Sequence, residues 1–316
     1  VTRRRRKIRG FVLVLFHDRS LADERGMIMV KIGLQLYSVR QALHEDPWGS
    51  LARISETGFR YLEAANHNAA TDDGVGFDVP ATELRTRLDD LGLTIVGCHV
   101  NPLDPDRLPA VLDYHQQVGN SQIGCDIEFY PFGDRDYLLR RAELFNRVGE
   151  LCRDRGMRFY YHNHYQEFQR CGDRTVYELI MDNTDPELVF VQLDTYWAYR
   201  GGQDAVELIR RYADRVILLH QKDFPADAAE PLNLYDGVVP PDQPITMETF
   251  MQAKDPATFT EVGTGVLPIQ DIIDTADAAP RLDYILLEQD HSQHDEFSSI
   301  KISRDAFARY RGISWQ

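Results

Sequence analysis

Eight short apolar runs recur between residues 32 and 288, with amphipathic segments between and after them, and this rhythm leaves few possible folds. The runs at 32–37, 61–65, 93–99, 122–128, 157–162, 188–194, 216–220 and 284–288 read as strands. The segments at 48–57, 80–90, 105–118, 138–152, 175–181, 204–212, 268–276 and 298–311 read as helices. The fourth is the clearest, because Leu138, Ala142, Phe145, Val148 and Cys152 fall on one helical face. Val216-Ile217-Leu218-Leu219 is apolar at every position, as a parallel strand covered on both faces requires. Eight such units close most simply into a (β/α)₈ barrel. The alternative is a doubly wound open sheet, but no Gly-x-Gly-x-x-Gly turn follows the first run.

The length of 316 residues suits one barrel domain over residues 30–316. Two stretches break the pattern. Residues 1–29 carry Arg3-Arg4-Arg5-Arg6-Lys7 and then a short apolar run from Phe11 to Phe16. That run is too short to span a bilayer and no small-residue cleavage site follows it, so the segment reads as a disordered leader. The second is an insertion at about 224–263, rich in Pro, Asp and Ala and without evident regular structure. Such stretches serve as lids or partner contacts, or stay disordered. Phe259 to Gly265, at its far end, reads as a short strand returning to the barrel mouth.

Thirty-five basic against 50 acidic residues give a formal net charge of −15, which argues against nucleic acid or an anionic membrane as partner. Cys98, Cys125, Cys152 and Cys171 are widely spaced and form no C-x-x-C pair, so they read as reduced thiols of a cytoplasmic protein.

Barrel active sites lie at the C-terminal ends of the strands. His162, Asp194, His220 and Glu288 stand at or next to the ends of runs five to eight. Together they offer N, O, N and O ligands, a set suited to one divalent ion: Mn²⁺ first, with Zn²⁺, Co²⁺ or Mg²⁺ as alternatives. His164 follows two residues after His162, so strand alternation turns both toward the same side.

Around these residues, five motifs occur in order: Gly33-Leu34-Gln35-Leu36-Tyr37-Ser38-Val39-Arg40, Tyr161-His162-Asn163-His164 with Glu167-Phe168, Leu193-Asp194-Thr195-Tyr196-Trp197, Leu219-His220-Gln221-Lys222-Asp223 and Val262-Gly263-Thr264-Gly265. Over residues 30–312 the chain resembles the sugar phosphate isomerase/epimerase family of xylose-isomerase-like barrels. That resemblance implies a metal-dependent enzyme that removes an α-proton from a sugar or keto-sugar. Asp194, His220 and Glu288 match three of the family's four ligands, but His162 stands where many members carry a proton-shuttling Glu. A histidine there resembles the keto-inositol dehydratases and the lyases acting on 3-keto-glycosides, including C-glycoside deglycosidases. Epimerisation or isomerisation and β-elimination are therefore both open.

The resemblance makes His164, Glu288 and His162 the candidate catalytic groups, and makes Glu167 a contact for a substrate hydroxyl. Lys222 would steady a hydroxyl or an enolate, or else pair with Asp223. Trp197 offers a face to a sugar ring, and His99 and Glu128 stand where they could line the pocket. His291 and His294 read as loop residues. The expected partners are a sugar or glycoside and either further copies of the chain or a small second subunit on the 224–263 insertion. Two rivals remain. An abasic-site endonuclease would need more ligands and a basic groove. A non-catalytic partner subunit would not need the ligand set.

Overall fold

The computed structural model of the chain describes residues 29–316. Apart from Met29, the expected leader lies outside the described residues. Eight parallel strands form the core: β1 Val30–Gln35, β2 Tyr61–Asn66, β3 Thr94–Val100, β4 Gln122–Cys125, β5 Arg158–His162, β6 Val189–Asp194, β7 Val216–Gln221 and β8 Tyr284–Leu287. Each pairs with the next, and β8 pairs back onto β1 with Ile32 opposite Ile285, which closes the barrel. A two-residue strand, β9 Ile313–Ser314, adds to β1 from outside.

The principal outer helices are α1 Pro47–Thr57, α2 Ala81–Leu91, α3 Leu108–Val118, α4 Arg135–Arg153, α5 Val176–Asp182, α6 Ala205–Arg211, α7 Ile269–Asp274 and α8 Glu296–Phe307. Their ends follow local chemistry. The Asp46 side chain caps α1 by accepting from Gly49 N–H, Pro47 takes a first-turn position that needs no N–H donor, and Gly58 ends the helix in the left-handed region. The large apolar core lies between strands and helices. A smaller cluster of Val96, Tyr160, Phe190, Ile217, Leu218, Tyr284 and Leu286 fills the barrel itself. Gly97 and Gly124 face this interior, and a Cβ at Gly124 would collide with the Tyr160 ring. These two glycines make room for a tyrosine whose hydroxyl reaches Glu63.

Several expectations need correction. The fourth strand stops at Cys125, so Glu128 sits in the loop beyond it. The first strand ends at Gln35, and a 3-10 turn Leu36–Val39 and a helix Arg40–Glu45 precede α1. The 224–263 insertion holds a helix, Met247–Ala253, opened by a Thr246–Thr249 capping box. Its far end is no strand: Thr260 makes a single antiparallel bridge to Asp223. What anchors that end is the Asp223 carboxylate, which accepts from the backbone N–H of Phe224, Gly263, Gly265 and Leu267 at 2.9–3.0 Å. The four cysteines are free and buried. Among the described residues no helix is long and apolar enough to cross a membrane.

Candidate metal centre

His162 closes β5, Asp194 closes β6, His220 is the last residue but one of β7, and Glu288 follows β8 directly. Asp194 and His220 are register partners. Glu288 N–H donates to Gln221 O at 3.1 Å, so the ladder carries three of the four residues to one level. One ligand atom from each of the four lies within 4.8 Å of the others, and all four residues are buried.

Asp194 is held from two sides. The Asn163 amide accepts from its N–H at 3.0 Å and donates to its carbonyl at 3.3 Å, which continues the β5–β6 pairing past the strand end. Its Oδ1 accepts from Trp197 N–H at 2.8 Å and caps a short helix, Thr195–Arg200. That leaves Oδ2 for a cation. Lys222 supplies one, for its ammonium donates to both Asp194 Oδ2 and Glu288 Oε2. The alternative pairing of Lys222 with Asp223 does not form. Successive side chains alternate across the extended backbone, so Lys222 points inward with His220 while Asp223 turns to the backbone donors of the insertion.

His220 lies between two carboxylates. Its Nδ1 is 2.8 Å from Glu288 Oε2, and its Nε2 meets Glu63. Burial alone would lower its pKa, but Glu288 and Glu63 raise it to about 10. Glu63, on β2, also accepts from Gln35 and Gln192 at 2.7 Å each and from the Tyr160 hydroxyl. Burial pushes this carboxyl up, but His99 and His220 outweigh it and hold its pKa below the usual range. His99 bonds Gln192 through Nε2 at 2.6 Å, while its Nδ1 lies 3.3 Å from Asp126. Asp126 in turn lies 3.2 Å from His67.

The remaining candidates separate. The His164 ring stands 4.8 Å from that of His162, edge to face, and packs on Trp197 and Phe250. Burial pushes the His164 imidazole down to about 3, so it is neutral at physiological pH. Trp197 is fully buried and forms the wall behind this ring. Glu167 accepts from the Tyr161 hydroxyl at 2.8 Å and from His164 N–H at 2.9 Å, so it fixes the turn that carries His164. Glu128 is bound to Arg141 of α4. His99 does join the cluster, with its ring 4.8 Å from that of His162. His291 and His294 lie in the loop before α8.

Sequence reasoning missed Glu63, Gln192, Asp126 and Phe250. Glu63 did carry a signal, a lone charge in the middle of the apolar strand Tyr61–Asn66.

The donor set fits a divalent ion. It offers two imidazoles and two carboxylates, an ammonium already sits against both carboxylates, and His162 Nδ1 is buried with no hydrogen-bond partner among the described residues. A family model described as xylose isomerase-like TIM barrel matches residues 51–310. The chain belongs to this family. Among curated relatives, the inosose dehydratase of Clostridium perfringens is 27% identical over 164 residues, which is 50% of this chain and 51% of that protein. The chain thus matches about half the length of that relative. A sugar phosphate isomerase/epimerase structure from Parabacteroides distasonis superposes with a TM-score of 0.69 at 23% identity, covering 90% of this chain and 98% of that one. The structure of the IOLI protein with a binding zinc atom gives a TM-score of 0.62 at 9% identity, covering 88% and 97%. At these identities the two structures share the barrel alone.

Proposed function

We propose that this xylose isomerase-like barrel removes the proton next to the carbonyl of a keto-sugar or ring-shaped polyol ketone, with His162, Asp194, His220 and Glu288 holding a divalent ion. The observation that carries this reading is the convergence of these four side chains within 4.8 Å, beside a neutral His164. When bound, the ion polarises the carbonyl and balances the charge that develops on its oxygen.

The chain's own residues do the rest. His164 and Glu288 move protons, one taking the α-proton and the other supplying a proton where the product needs it. His164 is uncharged at physiological pH and so has a ring nitrogen free to accept a proton, while its burial makes it a weaker base than a free imidazole. Asn163 and Trp197 keep Asp194 in one rotamer, and Glu167 keeps His164 in place through its backbone. Phe250, Trp197 and Tyr165 pack together and exclude water on the insertion side.

Elimination is the outcome favoured by the donor set. A two-glutamate exchange of protons across a carbon needs a second carboxylate at the fifth strand, and His162 stands there. In elimination the α-C–H electron pair forms the new double bond, the β-C–O bond breaks, and the departing oxygen takes a proton to leave as water or an alcohol. The name of the curated relative supports this reading. The isomerase/epimerase outcome remains the second reading, supported by the common barrel.

Incubating the metal-loaded protein with keto-inositols, keto-sugars and 3-keto-glycosides in D₂O, followed by proton NMR, separates these outcomes. An unsaturated ketone marks elimination, and deuterium at the α-carbon of an epimer marks the second reading. No exchange with any of them contradicts the proposal. A second subunit would dock on the insertion, where Met247 and Met251 are 51% and 56% exposed on one face of the helix. Light scattering of the native complex reads that out.

A further inference from the structure

Lys222 is 1% exposed, and its ammonium lies against Asp194 Oδ2 and Glu288 Oε2. Asp194 Oδ1 is committed to the Trp197 N–H, so Lys222 holds the one oxygen of Asp194 that a cation at this centre can use. On Glu288 it shares Oε2 with His220 Nδ1. An ammonium within hydrogen-bond reach of both oxygens and a divalent ion about 2.1 Å from each would be in contact. Two positive charges that close repel, and the space fits only one of them.

We propose that Lys222 is a tethered counter-cation that a divalent ion must displace, and that it thereby sets the metal affinity of the centre. The inference rests on the metal-centre reading above. Without the ammonium, Asp194 and Glu288 would face each other as buried carboxylates with too little positive charge between them. The lysine therefore lets the barrel fold before metal arrives. Lys222 is well suited to leave, because its charge sits at the end of a flexible four-carbon stem. Its Nζ lies 5.9 Å from the centre of the Trp197 ring, and that face can receive the displaced ammonium by a cation–π contact. Metal entry would thus present a free ammonium at the cavity wall near His164, where it can neutralise an oxyanion of the substrate. A site filled by its own lysine also prefers ions that bind imidazole and carboxylate strongly over weak binders.

The test is metal binding by isothermal titration calorimetry with Mn²⁺ and Zn²⁺, comparing wild-type protein with Lys222→Met. The variant keeps the stem and removes the charge. Affinity should rise about tenfold or more once the competing ammonium is gone, and the metal-free variant should melt earlier than wild type while the metal-loaded variant does not. Should the metal-free variant fail to fold, wild-type protein carries the test alone. Reductive methylation read by mass spectrometry should leave Lys222 protected without metal and label it several-fold more with saturating Zn²⁺. The exposed Lys301 serves as an unchanged reference. Equal or weaker metal affinity in Lys222→Met, or equal labelling of Lys222 with and without metal, overturns the proposal. If neither wild type nor variant binds a divalent ion, the metal-centre reading falls with it. If both bind equally, only the role of Lys222 falls.

Discussion

His220 has two faces, and they are built differently. Its Nε2 side meets Glu63, which is wholly buried and also receives fixed donors from Gln35, Gln192 and Tyr160. Its Nδ1 side meets Glu288, which is 8% exposed and shares its compensating charge with Asp194 through one flexible lysine. Both carboxylates are held below their usual pKa range by positive neighbours acting against burial. The inner one is locked by a ring of neutral donors that cannot leave. The outer one is balanced by a cation that can be exchanged. One face is therefore built to orient the imidazole and the other is the one on which the proposed chemistry rests, and acidic residue type alone does not say which is which.

The largest expected effect is on the outer face. Glu288→Gln should lower kcat by about 10³ or more while leaving the circular dichroism spectrum and melting temperature near wild type. Steady-state kinetics beside thermal melts read this contrast, and retained activity would erase the distinction between the faces. Glu63→Gln should do the reverse. It breaks a buried ion pair and should cost about 4 kcal/mol of stability in urea titration, with a smaller loss of turnover in whatever remains folded.

His115 supplies a control, because it is equally buried but has no carboxylate against it and bonds Asn120 instead. Burial lowers it to about 4. Between the unfolded value near 6.5 and about 4, the unfolded chain binds a proton that the folded chain does not. Stability should therefore fall as pH drops through that window, by about 3 kcal/mol in all. His115→Gln should remove this part of the acid sensitivity, as urea midpoints at pH 7 and pH 4.5 would show. The smallest effect belongs to Asp223, a buried carboxylate held by backbone N–H groups. Asp223→Ala should cost about 2 kcal/mol and open residues 224–263 to proteolysis before the barrel unfolds.

The barrel was readable from sequence because several strands are covered on both faces and are written largely in apolar letters. The four candidate ligand positions could be picked out because they stand at or next to the ends of those runs. Glu63 was hidden for the same reason: inside a strand, a charge looks like an interruption until Gln35, Tyr160 and Gln192, far apart in the chain, are brought around it. Phe250 is hidden in a Pro-, Asp- and Ala-rich insertion with no long periodic segment, although Thr246 and Thr249 form a recognisable cap. The helix Thr195–Arg200 follows directly from a strand with no loop between them, so only the capping ability of Asp194 signalled it. Adjacency offers Asp223 as an alternative partner for Lys222, and alternation across the backbone prevents that pairing.

On the proposed reading, the outer face of His220 works with a divalent ion to loosen a proton next to a carbonyl. Proton NMR in D₂O, run on chelator-stripped protein and on the same protein reloaded with Mn²⁺ or Zn²⁺, tests this most directly with a keto-inositol or keto-sugar as substrate. Loss of the α-proton signal, or appearance of an unsaturated ketone, is expected only after reloading. The same rate in fully metal-free protein would contradict it.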